Sequence, residues 1–119
     1  MDQVLDMAVV DELLSLTDEG DPELLLDLIK LYLDDGPLKI HSLFRGIAAV
    51  DFDEVERAAH SLKGSSGNLG ARLLQETCEQ LQNTSRLHDQ STTKRLTQQA
   101  MAQFADVRAE LLQLQRRYS

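Results

Sequence analysis

Residues 58–70 read AAHSLKGSSGNLG and place His60, Lys63 and Gly64 within about one helical turn. A histidine side chain in water is largely neutral at pH 7 and offers one ring nitrogen as a nucleophile. A phosphoryl group taken up there would bring negative charge. Lys63, three residues on, can offset that charge as an ammonium. Ser61, Ser65 and Ser66 flank the pair. They either donate hydrogen bonds or fill a wet face, and Ser65 reads as filler. Gly64 needs its own reason, because a glycine inside a helix costs about 1 kcal/mol relative to alanine.

The reason lies in the helix that carries these residues, expected over 52–66. Asp51, with Glu54 three residues on, resembles a capping box. Phe52, Val55, Ala59 and Leu62 mark its inner stripe. At about 100° per residue, His60 falls roughly 130° from the centre of that stripe, on the wet side. Gly64 follows one turn along the same outer face, Gly67 another turn on, and Lys63 sits on the flank. Gly67 also suits a helix end. Gly64 does not face the core, so a side chain there would only shield the imidazole. Omitting it lets a bulky partner approach the ring, and Gly67 is expected to widen the same access for that partner.

Four further elements must hold this helix. Leu5, Val9, Leu13 and Leu16 predict a short helix over 4–16. Asp21 is a capping residue and Pro22 suits the first position of the next helix. From Leu25 to Val50 the apolar residues keep steps of three or four through Gly36-Pro37. The shared phase predicts one long helix over 22–50, with room for a kink at Pro37; a break at DDGP is the alternative. Pro37 lies off the stripe, so the Leu33 carbonyl it leaves unpaired faces water. Leu69, Leu73, Leu74, Thr77, Cys78 and Leu81 form the next stripe, NTSRLHDQST a polar turn, and Leu96 to Tyr118 the last. The expectation is an all-α fold: an antiparallel up-down four-helix bundle with a short extra N-terminal helix. One domain spans 1–119, with 1–19 a lid and 20–117 the bundle.

Composition narrows the function. The formal net charge of −8 argues against nucleic-acid binding, which needs a basic footprint. No apolar run approaches the roughly 20 residues that span a bilayer. The acidic N-terminus lacks the basic start of a secretion signal. A single cysteine, Cys78, excludes an internal disulfide framework and agrees with a reducing compartment. A cytoplasmic monomer is expected, and Met1 and the natural-looking end favour a chain that stands alone. His41, His60, His88 and Cys78 offer no pair with metal-ligand spacing on one helix. Cys78 lies on an apolar stripe and reads as core, which also excludes it as a nucleophile. His41 and His88 read as surface.

The stretch AAHSLKGSSGNLGARLLQETCEQLQ resembles the motif of histidine-containing phosphotransfer (HPt) domains of multistep two-component relays. The likeness runs through His60, Leu62, Lys63, Gly64, Ser65, Ser66, Leu69, Gly70, Ala71, Leu74, Cys78 and Leu81. GDPELLLDLIKLYLDDGP, residues 20–37, resembles the family's first bundle helix, so the resemblance covers most of 20–117. It implies that His60 accepts a phosphoryl group from a receiver-domain aspartate and passes it to another. The partners implied are the receivers of a hybrid histidine kinase and of a response regulator. It implies that Lys63 steadies the phosphate and that Gly64 admits the receiver's loops. In some members a Gln and an Arg on the next helix face the phosphohistidine, which assigns those roles to Gln82 and Arg86. On the residues alone, both are equally compatible with solvated surface. Gly67 stands where the family often has Ala.

No Gly-rich nucleotide loop of the Walker type and no acidic magnesium pocket is present, so the chain reads as a carrier rather than an enzyme. In the family the receiver supplies the Mg²⁺, and no cofactor is expected here. The docking surface is expected to be apolar, drawn from the N-terminal helix and the start of the 52–66 helix. The alternative from another class is a bundle that docks on a receiver or kinase without transferring phosphate. An oligomeric coiled coil through 96–118 is unnecessary, because the bundle core explains that stripe.

Overall fold

Three short turns fix the path of the chain, and each contains one residue with positive φ. In the computed structural model, which describes residues 3–17 and 20–119, these are Val50 (φ 53°), Gly70 (φ 81°) and His88 (φ 54°). Glycine is the usual residue where a helix ends in the left-handed region. Val50 and His88 accept that conformation despite the steric cost, which for a β-branched residue is about 1–3 kcal/mol. Asp51 and Asp89 follow them and cap the next helices, accepting from the Glu54 and Thr92 amides at 3.1 Å each.

The helices are α1 (Met7–Ser15), α2 (Glu23–Ala48), α3 (Phe52–Asn68), α4 (Arg72–Arg86) and α5 (Gln90–Tyr118). α2 packs on α3 and α5, and α4 packs on the same two, which closes an up-down four-helix bundle. Cross-helix pairs fix the register. Tyr32 and Arg45 of α2 meet Ser66 and Glu54 of α3. Thr77 and Thr84 of α4 meet Gln99 and Thr93 of α5. In each case the partner order reverses, as antiparallel neighbours require.

The long α2 runs unbroken through Pro37, as the continuous phase predicts. Pro37 is exposed, and its neighbour Gly36 is buried beneath the Phe104 ring of α5. A Cβ at 36 would lie 2.6 Å from that ring. Tyr32 stacks at a tilt on Phe104, with centroids 5.5 Å apart, and shares a buried 2.9 Å hydrogen bond with Ser66. Pro22 stands just before α2 rather than at its first position, while the Asp21 carboxylate accepts from the Glu23 amide at 3.0 Å.

α1 is shorter than the 4–16 expected, because Asp6 caps it and accepts from the Ala8 amide at 3.0 Å. Leu5 and Val10 are buried, whereas Leu16 is exposed. Of the lid segment 1–19, residues 1–2 and 18–19 lie outside the described residues. Its start is fastened to the α3–α4 turn. The Asp6 amide donates to the Gly70 carbonyl at 2.8 Å, and Arg72 Nε donates to the Asp6 carboxylate at 2.7 Å. Gly70 is needed for two reasons: its positive φ, and a Cβ there would press on the Asp6 carbonyl oxygen at 2.8 Å. No helix among the described residues is long and apolar enough to cross a membrane.

Two expectations are corrected in detail. Only half of the capping box forms at α3, because the Glu54 side chain pairs with Arg45 and the Asp51 amide donates to the Gly46 carbonyl at 2.7 Å. Leu73, placed on the α4 stripe by spacing, is 39% exposed, while Leu74 beside it is buried.

Candidate functional site

The middle of α3 meets the C-terminal half of α4 in two parallel rungs. In one, His60 Nδ1 lies 3.2 Å from Nε2 of Gln82. In the other, Glu56 Oε1 accepts from Arg86 Nε at 2.6 Å. Each pair is spaced four residues along its helix, so both rungs share one face. His60 is exposed and Gln82 is 5% exposed. The imidazole is therefore held from behind at Nδ1, and Nε2 makes no hydrogen bond among the described residues.

Gly64 lies one turn beyond His60, and a Cβ built there meets nothing within 4 Å. Its missing side chain leaves open space over the outer face. Gly67 differs. A Cβ at 67 would sit 2.7 Å from Nε2 of Gln75 on α4, so this glycine makes room within the molecule. Nor does Gly67 end the helix, which runs on to Asn68 and turns at Gly70.

Lys63 is half-buried on the flank of α3 and makes no ion pair among the described residues. Its charge acts on Cys78 of α4. Cys78 is fully buried, and burial pushes its thiol up to about 12. It is core, as its stripe implied. His41 and His88 are exposed, and His88 stacks on Phe52 with centroids 4.7 Å apart. Among the described residues no group of three or more His, Cys, Asp and Glu side chains converges.

The serines separate. Ser66 is fully buried and bonded to Tyr32, so it cannot donate to a group on His60. Ser65 bonds back to the Leu62 carbonyl at 3.3 Å. The part of the apolar surround expected from the start of α3 is not found. None of the exposed large hydrophobic side chains among the described residues lies on α3. Around His60 the helix shows Glu56, Arg57, Ser61 and Gly64 instead. Glu56 escaped the sequence reading. The available signal was its position, one turn before His60.

A model of the Hpt domain matches residues 27–117. The chain is 28% identical over 106 residues to histidine-containing phosphotransfer protein 5 of Arabidopsis thaliana, covering 87% of this chain and 68% of that protein. It is 28% identical over 100 residues to multistep phosphorelay regulator 1 of Schizosaccharomyces pombe, covering 84% of this chain but only 34% of that regulator. Among solved structures, histidine-containing phosphotransfer protein B from Pseudomonas aeruginosa PAO1 superimposes with a TM-score of 0.88 at 29% identity, each chain covered over 100% of its length. Family motif and bundle thus coincide over most of the chain, and the protein belongs to the Hpt domain family.

Proposed function

We propose that this chain is a phosphocarrier that takes a phosphoryl group from a receiver-domain aspartate onto His60 and delivers it to the aspartate of a second receiver. The observation that carries this reading is the His60–Gln82 contact of 3.2 Å beside the open surface at Gly64. Gln82 holds Nδ1 from the buried side. The amide atom facing Nδ1 is Nε2 and Oε1 is left without a partner; turned by 180°, the amide presents Oε1 to accept the Nδ1 hydrogen, which leaves the lone pair on the ring Nε2.

Transfer then balances simply. The Nε2 lone pair forms the N–P bond, and the P–O bond to aspartate breaks with its electrons left on the carboxylate. The Nδ1 proton stays on the ring throughout. In the second transfer the imidazole departs neutral, which makes it a good leaving group. Lys63 and Arg86 offset the phosphoryl charge, and the receiver brings its own Mg²⁺. Such a step needs mostly positioning and charge neutralisation, which two docked proteins can share.

Access to the ring is assigned to Gly64, since the space beside Gly67 is filled by Gln75. The carrier acts as a cytoplasmic monomer; its single cysteine, free and buried, agrees with a reducing compartment. The test is incubation with a phosphorylated receiver, following acid-labile, base-stable label on wild type and on His60→Gln. Label lost in the variant supports the carrier. Stable complexes without label on wild type would establish a docking-only regulator.

A further inference from the structure

The α2–α3 edge beside the His60 face carries a polar groove of about 300 Å³, lined by Lys39, Ser42, Arg45, Glu54, Arg57 and Ala58. Arg45 is neutralised by Glu54. Lys39 and Arg57 form no ion pair among the described residues, so the groove keeps two free cations on a chain of net charge −8. Arg57 precedes His60 by three residues, about 60° around the helix toward α2. Arg57 and Gly64, seven residues apart, differ by only about 20° and line one edge of the outer face. The basic groove therefore lies on the same edge of α3 as the surface left open at Gly64, about two turns away.

We infer that this groove docks carboxylate side chains on the rim of the partner receiver. The inference rests on the phosphocarrier reading and names the chemistry of its contact. A receiver presents its aspartate among metal-binding carboxylates, and a chain this acidic repels such a surface at long range. A local cationic strip on an acidic body orients the encounter and raises its rate. The helix that carries His60 agrees, because α3 itself exposes no large hydrophobic side chain.

The test compares wild type, the Lys39→Glu/Arg57→Glu double variant and the neutral Lys39→Gln/Arg57→Gln variant. The donor is the stand-alone receiver, phosphorylated with acetyl phosphate, that labels wild type fastest. Phosphoramidate, a small phosphoryl donor that needs no docking, labels His60 in parallel and reports an intact site. The double reversal is expected to lower the second-order transfer rate by roughly tenfold or more at low salt, with the neutral variant between. Raising salt should narrow the gap, while saturating-receiver and phosphoramidate rates stay at wild-type values. Equal second-order rates for all three proteins overturn the groove alone. A loss that persists with phosphoramidate also overturns it, since the defect then lies in the site and not in docking. If phosphoramidate labels wild type and no receiver does, the carrier reading itself fails and takes the groove's role with it.

Discussion

Nε2 of Gln82 approaches Nδ1 of His60 to 3.2 Å across the α3–α4 interface, from a side chain only 5% exposed. A buried amide that fixes an exposed ring acts on orientation, so its loss should separate chemistry from stability. Gln82→Leu keeps the volume and removes the buried amide, while the exposed His60 ring can turn its Nδ1 to water. Replacing such a group by an apolar one is close to neutral, within about 1 kcal/mol. The transfer rate should fall by roughly ten- to a hundredfold, because a freely turning ring loses its attack geometry. Urea unfolding and quenched transfer assays on the same preparation check both halves. A variant that transfers at the wild-type rate would remove Gln82 from the mechanism.

Two glycines in helix interiors should respond to alanine in opposite directions. At Gly64 a methyl group meets nothing within 4 Å. Gly64→Ala should therefore gain about 0.5–1 kcal/mol from helix propensity. At Gly36 the methyl would lie 2.6 Å from the Phe104 ring. Gly36→Ala should cost about 1–3 kcal/mol through overpacking. Function should invert the order. Gly64→Gln keeps the fold and blocks receiver-dependent transfer by bulk, whereas Gly36→Ala lowers stability and leaves the transfer rate of the folded protein unchanged. Thermal melts beside transfer rates decide the matter.

Residues whose role follows from one helix alone were legible in the sequence. The 3.6-residue period put His60 and Gly64 outside and Cys78 inside, and the unbroken phase carried α2 through Pro37. Properties set between helices were not legible. Gln82 reads as surface on α4 by itself, and its burial depends on how α3 and α4 are rotated against each other. The hydroxyl of Ser66 finds Tyr32 from a helix thirty-four positions away, and Gly67 yields to Gln75 across an interface. The capping pattern at Asp51 matched by spacing, but Glu54 had a cationic competitor, Arg45, on another helix.

Alkaline conditions should weaken the fold through two buried acids. Burial raises the Cys78 thiol from 9.0 to about 12, with the nearby Lys63 charge pulling slightly the other way. Burial also raises the Tyr32 hydroxyl from 10.0 to about 12, opposed by the Ser66 hydrogen bond. The unfolded chain loses these protons first, so stability present below pH 9 drains away as pH rises toward 12. Cys78→Ala and Tyr32→Phe should each flatten that decline. Tyr32→Phe should also cost about 1 kcal/mol at neutral pH through the lost bond to Ser66. Urea midpoints taken across the alkaline range test this. A decline as steep in both variants as in wild type assigns it to other groups.

The Glu56–Arg86 pair predicts how long a phosphoryl group stays on His60. Glu56 stands one turn before His60, and its carboxylate holds Arg86 Nε at 2.6 Å. The pair is partly exposed, so breaking it should change stability by no more than about 1 kcal/mol. Its effect on a phosphohistidine is larger in principle, because the phosphoryl group adds negative charge beside the Glu56 carboxylate while Arg86 is shared between them. Removing the carboxylate relieves the repulsion and frees the guanidinium, and both changes favour the phosphorylated form. Glu56→Gln should therefore lengthen the phosphohistidine half-life and slow delivery to the second receiver, each by roughly two- to fivefold. Arg86→Ala should do the reverse, shortening the half-life. The double variant should fall between the singles if the two residues act through one electrostatic balance. Chase experiments on purified phosphorylated protein, freed of donor, measure the half-life directly. Equal half-lives in wild type and both single variants would confine the pair to a structural role at the α3–α4 interface.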